Sequence, residues 1–191
     1  MNITIIQGHP DGHSRHLCHA LADEYAAGAR AAGHSVRIID LGKLEFPLLR
    51  TKDAFDHAAL PAELKTAQDD LAWANHLLLV YPLWLGEMPA LVKGFFEQTL
   101  RPGFAFDLSG QGWKPKLKGK TARVLVTMGM PAAAYRWYFG AHSLKSLRRN
   151  VLQFVGIKPI RATLFGLVES ASANRKKGWL AAMRKLGAAA R

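Results

Sequence analysis

The chain has 191 residues, 49% of them hydrophobic, which suits one domain with a sizeable core and excludes a disordered segment. Its longest uncharged apolar run, 77–86, is too short to cross a bilayer, and no basic stretch precedes an apolar one at the start, so neither membrane insertion nor a secretory leader is expected. The formal charge is +12, yet the 26 Lys and Arg are scattered and not interleaved with aromatic side chains, which speaks against nucleic acid as the main partner and leaves phosphorylated ligands in play.

Strand and helix patterns alternate along the whole chain. Residues 2–7 read as a buried strand, 14–33 as an Ala-rich helix closed by Gly33, and 36–40 as a second strand. A helix over 61–74 puts Leu64, Ala67, Leu71 and Ala74 on one face. The third strand, 76–81, leads to a helix from Pro89 to about Leu100, with proline in the first turn where its missing N–H costs nothing. A fourth strand covers 121–127. The next helix shows Leu144, Leu147, Val151 and Phe154 at helical spacing, with Gly156 as its stop. A fifth strand spans 160–168, and Ser172 or Ser170 caps a last basic helix carrying Trp179, Leu180, Met183 and Leu186. Right-handed crossovers then give an α/β protein: a doubly wound, five-stranded parallel sheet in the flavodoxin-like order 2-1-3-4-5, with helices on both faces and a ligand at the switch point between strands 1 and 3. No internal linker divides residues 1–191, so a single domain is expected. The connections 41–60 and 101–120 are long enough to be functional or interfacial.

Three turns at the carboxyl ends of strands carry the chemistry. Strand 1 runs into Gly8-His9-Pro10-Asp11-Gly12-His13-Ser14-Arg15-His16 ahead of a helix. The free N–H groups and positive dipole end of such a helix favour a phosphate. Gly8 and Gly12 allow a tight turn, Ser14 offers a hydroxyl, and His13, Arg15 and His16 offer charge. The pattern is neither a P-loop nor G-x-G-x-x-G, which argues against ATP and ordinary dinucleotide folds. Its alternative is a plain N-cap by Ser14 or Asp11. The single cysteine, Cys18, cannot form an internal disulfide, suits the cytoplasm, and reads as a small buried side chain rather than a nucleophile. Strand 3 runs into Pro82-Leu83-Trp84-Leu85-Gly86-Glu87-Met88, where water should reject the large apolar side chains unless something flat lies against them. The isoalloxazine ring of a flavin would supply that surface. Strand 4 ends in Thr127-Met128-Gly129-Met130-Pro131, with Tyr135 and His142 beyond.

Pro82-Leu83-Trp84 with Met88-Pro89-Ala90-Leu91-Val92-Lys93-Gly94 resembles the flavin-ring loop of the NAD(P)H:quinone oxidoreductases, the DT-diaphorase-like reductases of flavodoxin fold. The resemblance runs from Ile3 to about Leu167. It implies that His9, Ser14 and His16 bind the flavin phosphate, with His13 and Arg15 alongside. It also implies that Pro82, Leu83, Trp84, Leu85 and Gly86 flank the ring. Trp84 stands one position early, which leaves open whether Trp84 or Leu85 packs on it. Thr127, Met128 and Gly129 match the family's Thr-x-Gly loop, whose amides bind the pyrimidine edge; the family's second glycine is Met130 here. Tyr135 and His142 match a catalytic Tyr and His near flavin O2, where each would stabilise charge or relay a proton. Arg101-Pro102-Gly103-Phe104-Ala105-Phe106 resembles the segment whose following loop, in the family's dimers, closes the partner's pocket, and Phe104, Phe106 and Trp113 are the candidate contacts.

The resemblance thus implies a cytoplasmic, homodimeric, flavin-dependent NAD(P)H oxidoreductase. It would pass hydride through flavin N5 to a quinone or related electrophile by a ping-pong sequence, using FAD or FMN and NADPH or NADH, with no metal. Two rivals are a flavin-binding regulatory subunit of a potassium-efflux transporter and a flavodoxin-type electron carrier. The positive charge speaks against the second.

Overall fold

The computed structural model describes residues 1–108 and 112–191. Five parallel strands form the central sheet: β1 (Asn2–Gln7), β2 (Ser35–Asp40), β3 (His76–Pro82), β4 (Thr121–Thr127) and β5 (Ile160–Phe165). Their spatial order is β2-β1-β3-β4-β5, the order expected from the sequence. Alternation explains why β3 is apolar from Leu77 onward. It sends Leu77, Leu79 and Tyr81 to one face and Leu78 and Val80 to the other, and only a strand covered on both sides tolerates this. The first face is covered by α3 (Lys65–Trp73), α4 (Ala90–Thr99) and α5 (His142–Ser146), and the second by α1 (Leu17–Ala31) and α6 (Ala173–Ala188).

Several boundaries differ from the sequence expectation. The first helix starts at Leu17, not residue 14, because the Asp11 carboxylate takes the N–H groups of His13 and Ser14 in a turn ahead of it. The helix expected over 61–74 opens with a 3-10 turn, Ala62–Leu64. The fifth strand ends at Phe165: Gly166 passes so close to the post-β4 loop that a Cβ on it would lie 2.3 Å from the Ala132 nitrogen, and Leu167 has φ +56°. After β4 the expected helix is broken. A π-helical turn, Ala134–Tyr138, precedes positive φ at Gly140 and Ala141; α5 follows, then a second π-helical stretch, Leu147–Leu152. Gly156 ends that region at φ +101°, and Ser172, not Ser170, caps α6 by accepting from the Arg175 N–H.

The two long connections hold short elements. The first contains α2 (Lys52–His57), capped by Thr51. The second contains a short antiparallel pairing of two-residue strands, Phe106–Asp107 with Lys114–Pro115. Buried Arg101 ties them together. Its Nη1 donates to the carbonyls of Ala54 and Ala58 at 2.9 and 3.0 Å, and its Nε to the Gln98 carbonyl at 2.9 Å. A guanidinium suits the negative carbonyl end of a helix.

Candidate functional site

The loop after β1 is held flat against the sheet. A Cβ on Gly8 would lie 2.8 Å from Val92 Cγ2 and 2.9 Å from the Val80 carbonyl oxygen; one on Gly12 would lie 2.5 Å from the Gly42 oxygen. Both glycines serve close approach of backbones, and neither adopts positive φ. On this frame stand three imidazoles. His9 and His16 stack with centroids 3.9 Å apart, and His19 lies 5.4 and 5.8 Å from them. Asp11 links the first two: its backbone N–H donates to His9 Nδ1 at 3.2 Å, and its Oδ2 meets His16 Nε2 at 2.8 Å. The His16 imidazole, followed by the His13 and Ser14 amides, holds the Asp11 carboxyl well below the usual range. Burial, then the charge of His16 and His19, lowers the His9 pKa, and burial leads the lowering at His19. The side chains of His13, Ser14 and Arg15 face solvent, with Arg15 paired to Asp23. His19 and Asp11 escaped the sequence reading as site residues. The signal for His19 was its i+3 spacing from His16 on one helix face. Cys18 is buried, its thiol pushed up to about 11 by desolvation and directed at Thr127 Oγ1 at 3.1 Å, so it is not a nucleophile.

The turn after β3 leans over this cluster. Pro82 ends the strand opposite Thr127, and the Leu83 N–H donates to the Thr127 carbonyl at 2.8 Å. Trp84 and Glu87 exchange backbone hydrogen bonds of 2.9 Å each, enclosing Leu85 and Gly86 at φ +48° and +80°. Positive φ at both central residues is the type I′ arrangement, and a leucine there stores roughly 1–3 kcal/mol. Trp84 is 50% exposed and sets its ring edge-on to His9, centroids 6.2 Å apart. Leu85 projects fully into solvent. Of the two, only Trp84 touches the histidine cluster.

At the end of β4 the backbone groups divide. The Thr127 carbonyl serves Leu83, the Met128 N–H donates to the Phe165 carbonyl at 2.9 Å, and the carbonyls of Met128 and Met130 accept from Val168 and Leu167. The N–H groups of Gly129 and Met130 have no hydrogen-bond partner among the described residues, and Gly129 is exposed. Tyr135 is buried. Its hydroxyl lies 2.6 Å from Ser143 Oγ and accepts the Leu144 N–H at 3.2 Å, which ties the start of α5 to the π-helical turn. His142 is exposed and shares a shallow cleft with Glu87 of the β3 turn. His9, His13, Ser14, Arg15, His16, Trp84, Gly129 and Met130 therefore lie on the carboxyl ends of three adjacent strands, with His142 beside them and the Tyr135 hydroxyl inside the core.

These residues fit a flavin. The imidazoles supply ring nitrogens and the N-terminus of α1 a positive dipole end for a phosphate, the half-exposed Trp84 supplies an aromatic face, and the unpaired amides of Gly129 and Met130 supply donors for a heterocycle's polar edge. Among the described residues no group of His, Cys, Asp and Glu could hold a metal, and no helix is long and apolar enough to cross a membrane.

Comparison with known proteins agrees with this frame. Human ribosyldihydronicotinamide dehydrogenase [quinone] is 30% identical over 142 residues, which cover 70% of this chain but only 60% of that enzyme. An FMN-dependent NADH:quinone oxidoreductase of Nitratidesulfovibrio vulgaris is 26% identical over 197 residues, covering 91% of this chain and 92% of its own. The NAD(P)H:quinone oxidoreductase from Methanothermobacter marburgensis superimposes with a TM-score of 0.78 at 21% identity, covering 97% and 94% of the two chains. The family model described by its flavodoxin-like fold matches residues 1–187, and the chain belongs to that family.

Proposed function

We propose that the chain is a flavin-dependent NAD(P)H oxidoreductase that reduces a quinone-like acceptor. The observation that carries this reading is the convergence, at the ends of β1, β3 and β4, of a histidine-lined anion loop, a half-exposed tryptophan turn and two unpaired amides. The names of the human and N. vulgaris relatives point the same way. Flavin, FMN or FAD, would supply the redox chemistry, taking hydride from NAD(P)H at N5 and delivering two electrons to the acceptor in ping-pong order. His9, Ser14 and His16, with His13 and Arg15 at the rim, hold the phosphate. Pro82, Leu83 and Trp84 wall the ring, and the strained Leu85-Gly86 turn fixes the tryptophan. Gly129 and Met130 donate to the pyrimidine edge, while Thr127 and Met128 fix that loop to the sheet. His142, exposed beside Glu87, holds the proton for the acceptor, and Tyr135 positions the helix that carries it. The chain acts as one flavin-binding domain and pairs with a second copy.

The test is the visible spectrum of the purified protein before and after anaerobic NADPH. A flavin spectrum that bleaches, and returns on adding menadione, supports the reading. Bound flavin that neither NADPH nor NADH reduces would shift the assignment to a flavin-binding regulatory subunit. Failure to bind FMN or FAD on reconstitution would reject it.

A further inference from the structure

The helical region after β4 carries a run of basic side chains without carboxylate partners among the described residues. Arg136, His142, Lys145 and Arg149 are exposed, and Arg148 is half-buried with its Nε shut away from solvent and unpartnered. None of these five makes an ion pair among the described residues, although most acidic side chains of the protein do pair with a cation elsewhere. Their placement is ordered. Lys145 borders two hollows. One is the cleft that begins at Glu87 on the ring turn and continues along His142 and Arg149; the other is a pocket of about 440 Å³ between α5 and the edge strand β5. The floor of that pocket is apolar, with Leu144 and Leu164 among alanines. Its rim holds Arg136, Lys145 and Arg148, no carboxylate lines it, and Trp137 stands beside it 79% exposed.

A site of this make-up selects its ligand by chemistry. Three cations around an apolar floor favour a compact polyanion attached to something flat, and guanidinium forks match phosphate oxygens in pairs. An exposed indole at the rim offers a stacking face for a purine. The basic path from the ring turn through Lys145 suits a ligand whose other end lies at the ring. Resting on the oxidoreductase reading above, we propose that this pocket seats the adenosine half of the hydride donor, with its 2′-phosphate on Arg136, Lys145 and Arg148. The chain is then an NADPH enzyme rather than an NADH one, and part of its +12 charge has a named purpose.

The experiment titrates 2′,5′-ADP and 5′-AMP separately onto the full flavin-loaded chain, reading tryptophan fluorescence, in wild type, Trp137→Phe and the double variant Arg136→Ala/Arg148→Ala. The expected result is binding of 2′,5′-ADP at least about tenfold tighter than 5′-AMP, a quench largely lost in Trp137→Phe, and a phosphate preference abolished in the double variant. In steady state the double variant should raise KM for NADPH by roughly tenfold or more while leaving KM for NADH and kcat near their starting values. Equal affinity for the two nucleotides, or a quench and preference that survive the substitutions, would overturn the assignment. Flavin reduced equally by NADH and NADPH would overturn it too while leaving the oxidoreductase reading intact. Bound flavin reduced by neither donor would remove the reading on which it rests.

Discussion

Asp11 organises the anion loop with both carboxylate oxygens. Oδ1 caps the amides of His13 and Ser14, and Oδ2 orients His16, while the residue's own N–H fixes Nδ1 of His9 as an acceptor. Asparagine keeps the Oδ1 cap but turns a donor toward His16. Asp11→Asn should therefore weaken FMN binding by about tenfold, the worth of a charge-assisted hydrogen bond, and leave riboflavin, which has no phosphate, unchanged. Flavin fluorescence quenching reads both; equal loss for the two ligands would make Asp11 a scaffold only. Burial lowers the pKa of His9 and His19, among Asp11, Asp23, Asp40, Arg15, Lys43 and the neighbouring imidazoles. An arriving phosphate draws protons back, so FMN binding should take up protons near neutral pH and riboflavin binding should not, as calorimetry in buffers of different ionisation enthalpy would show. A second histidine acts on stability. His76 donates to or accepts from Thr121 Oγ1 at 2.6 Å, its Nε2 is buried without a partner, and burial lowers its pKa to about 4. The unfolded chain binds a proton near 6.5 that the folded chain refuses. The stability contribution is therefore full above that value and lost as pH falls toward about 4, up to roughly 3 kcal/mol. Urea midpoints should fall more steeply over that range for the wild-type chain than for His76→Gln; parallel curves would assign the acid sensitivity elsewhere.

The helices α1 and α6 meet backbone to backbone. A Cβ on Gly28 would lie 2.0 Å from the Arg184 carbonyl oxygen, and one on Gly187 equally close to that of Tyr25. Neither carbonyl can yield without moving its helix, so Gly28→Ala should cost about 1–3 kcal/mol as overpacking does. Gly178, also in α6, has nothing within 4 Å of such an atom, and Gly178→Ala should instead gain up to about 1 kcal/mol of helix propensity. Thermal melts of the two variants should shift in opposite directions; a shared direction would mean that α1 and α6 part readily at this contact. The contrast shows what the sequence conveys at this scale. The regular elements were legible because burial imposes a period: β3 is apolar from Leu77 onward since both its faces are covered, and Leu64, just ahead of α3, recurs with Ala67 and Leu71 on one side of the helical segment. The broken helix after β4 was not, because its breaks at Gly140 and Ala141 and the inward Tyr135 hydroxyl answer to contacts with Ser143 and Leu144 that no local pattern announces. Likewise Gly8 and Gly12 read as turn residues, but partners distant in the chain, Val92 and Gly42, give them their purpose. The candidate site was legible where chain order alone placed it at strand ends, and illegible where it depended on side-chain rotation, as in the choice between Trp84 and Leu85.

Across the whole molecule, the two long connections and the end of the broken helix leave one apolar hollow. It measures about 610 Å³ and is lined by Leu49, Phe55, Phe96, Leu108, Val151 and Phe154 among others, with Leu108 59% and Phe154 40% exposed. Trp113 lies against Phe154, centroids 5.1 Å apart, and is itself 43% exposed. Phe106 has turned inward to the core and Phe104 is partly covered, so the apolar side chains expected to serve a dimer divide between interior and surface. A contiguous patch of large apolar groups on a basic protein is costly in water and marks an interaction surface. Arg101 fixes the backbone beneath it, so the surface is preformed rather than induced. A second copy of the chain is the occupant that this reading expects. Sedimentation equilibrium should give a mass near twice the chain's 21.0 kDa. Leu108→Asp sets an unpaired charge at the exposed edge of the hollow, where folding does not depend on it, and should shift the protein to monomer with an unchanged far-ultraviolet circular dichroism spectrum. A wild-type chain that sediments as a monomer at micromolar concentration would remove the second copy from this surface. A variant that remains dimeric would move the interface elsewhere on the protein. Because α4 and the helical region after β4 border both the hollow and the strand-end turns, loss of the dimer should also weaken flavin retention, measurable as faster release of FMN on dilution of Leu108→Asp than of the wild type.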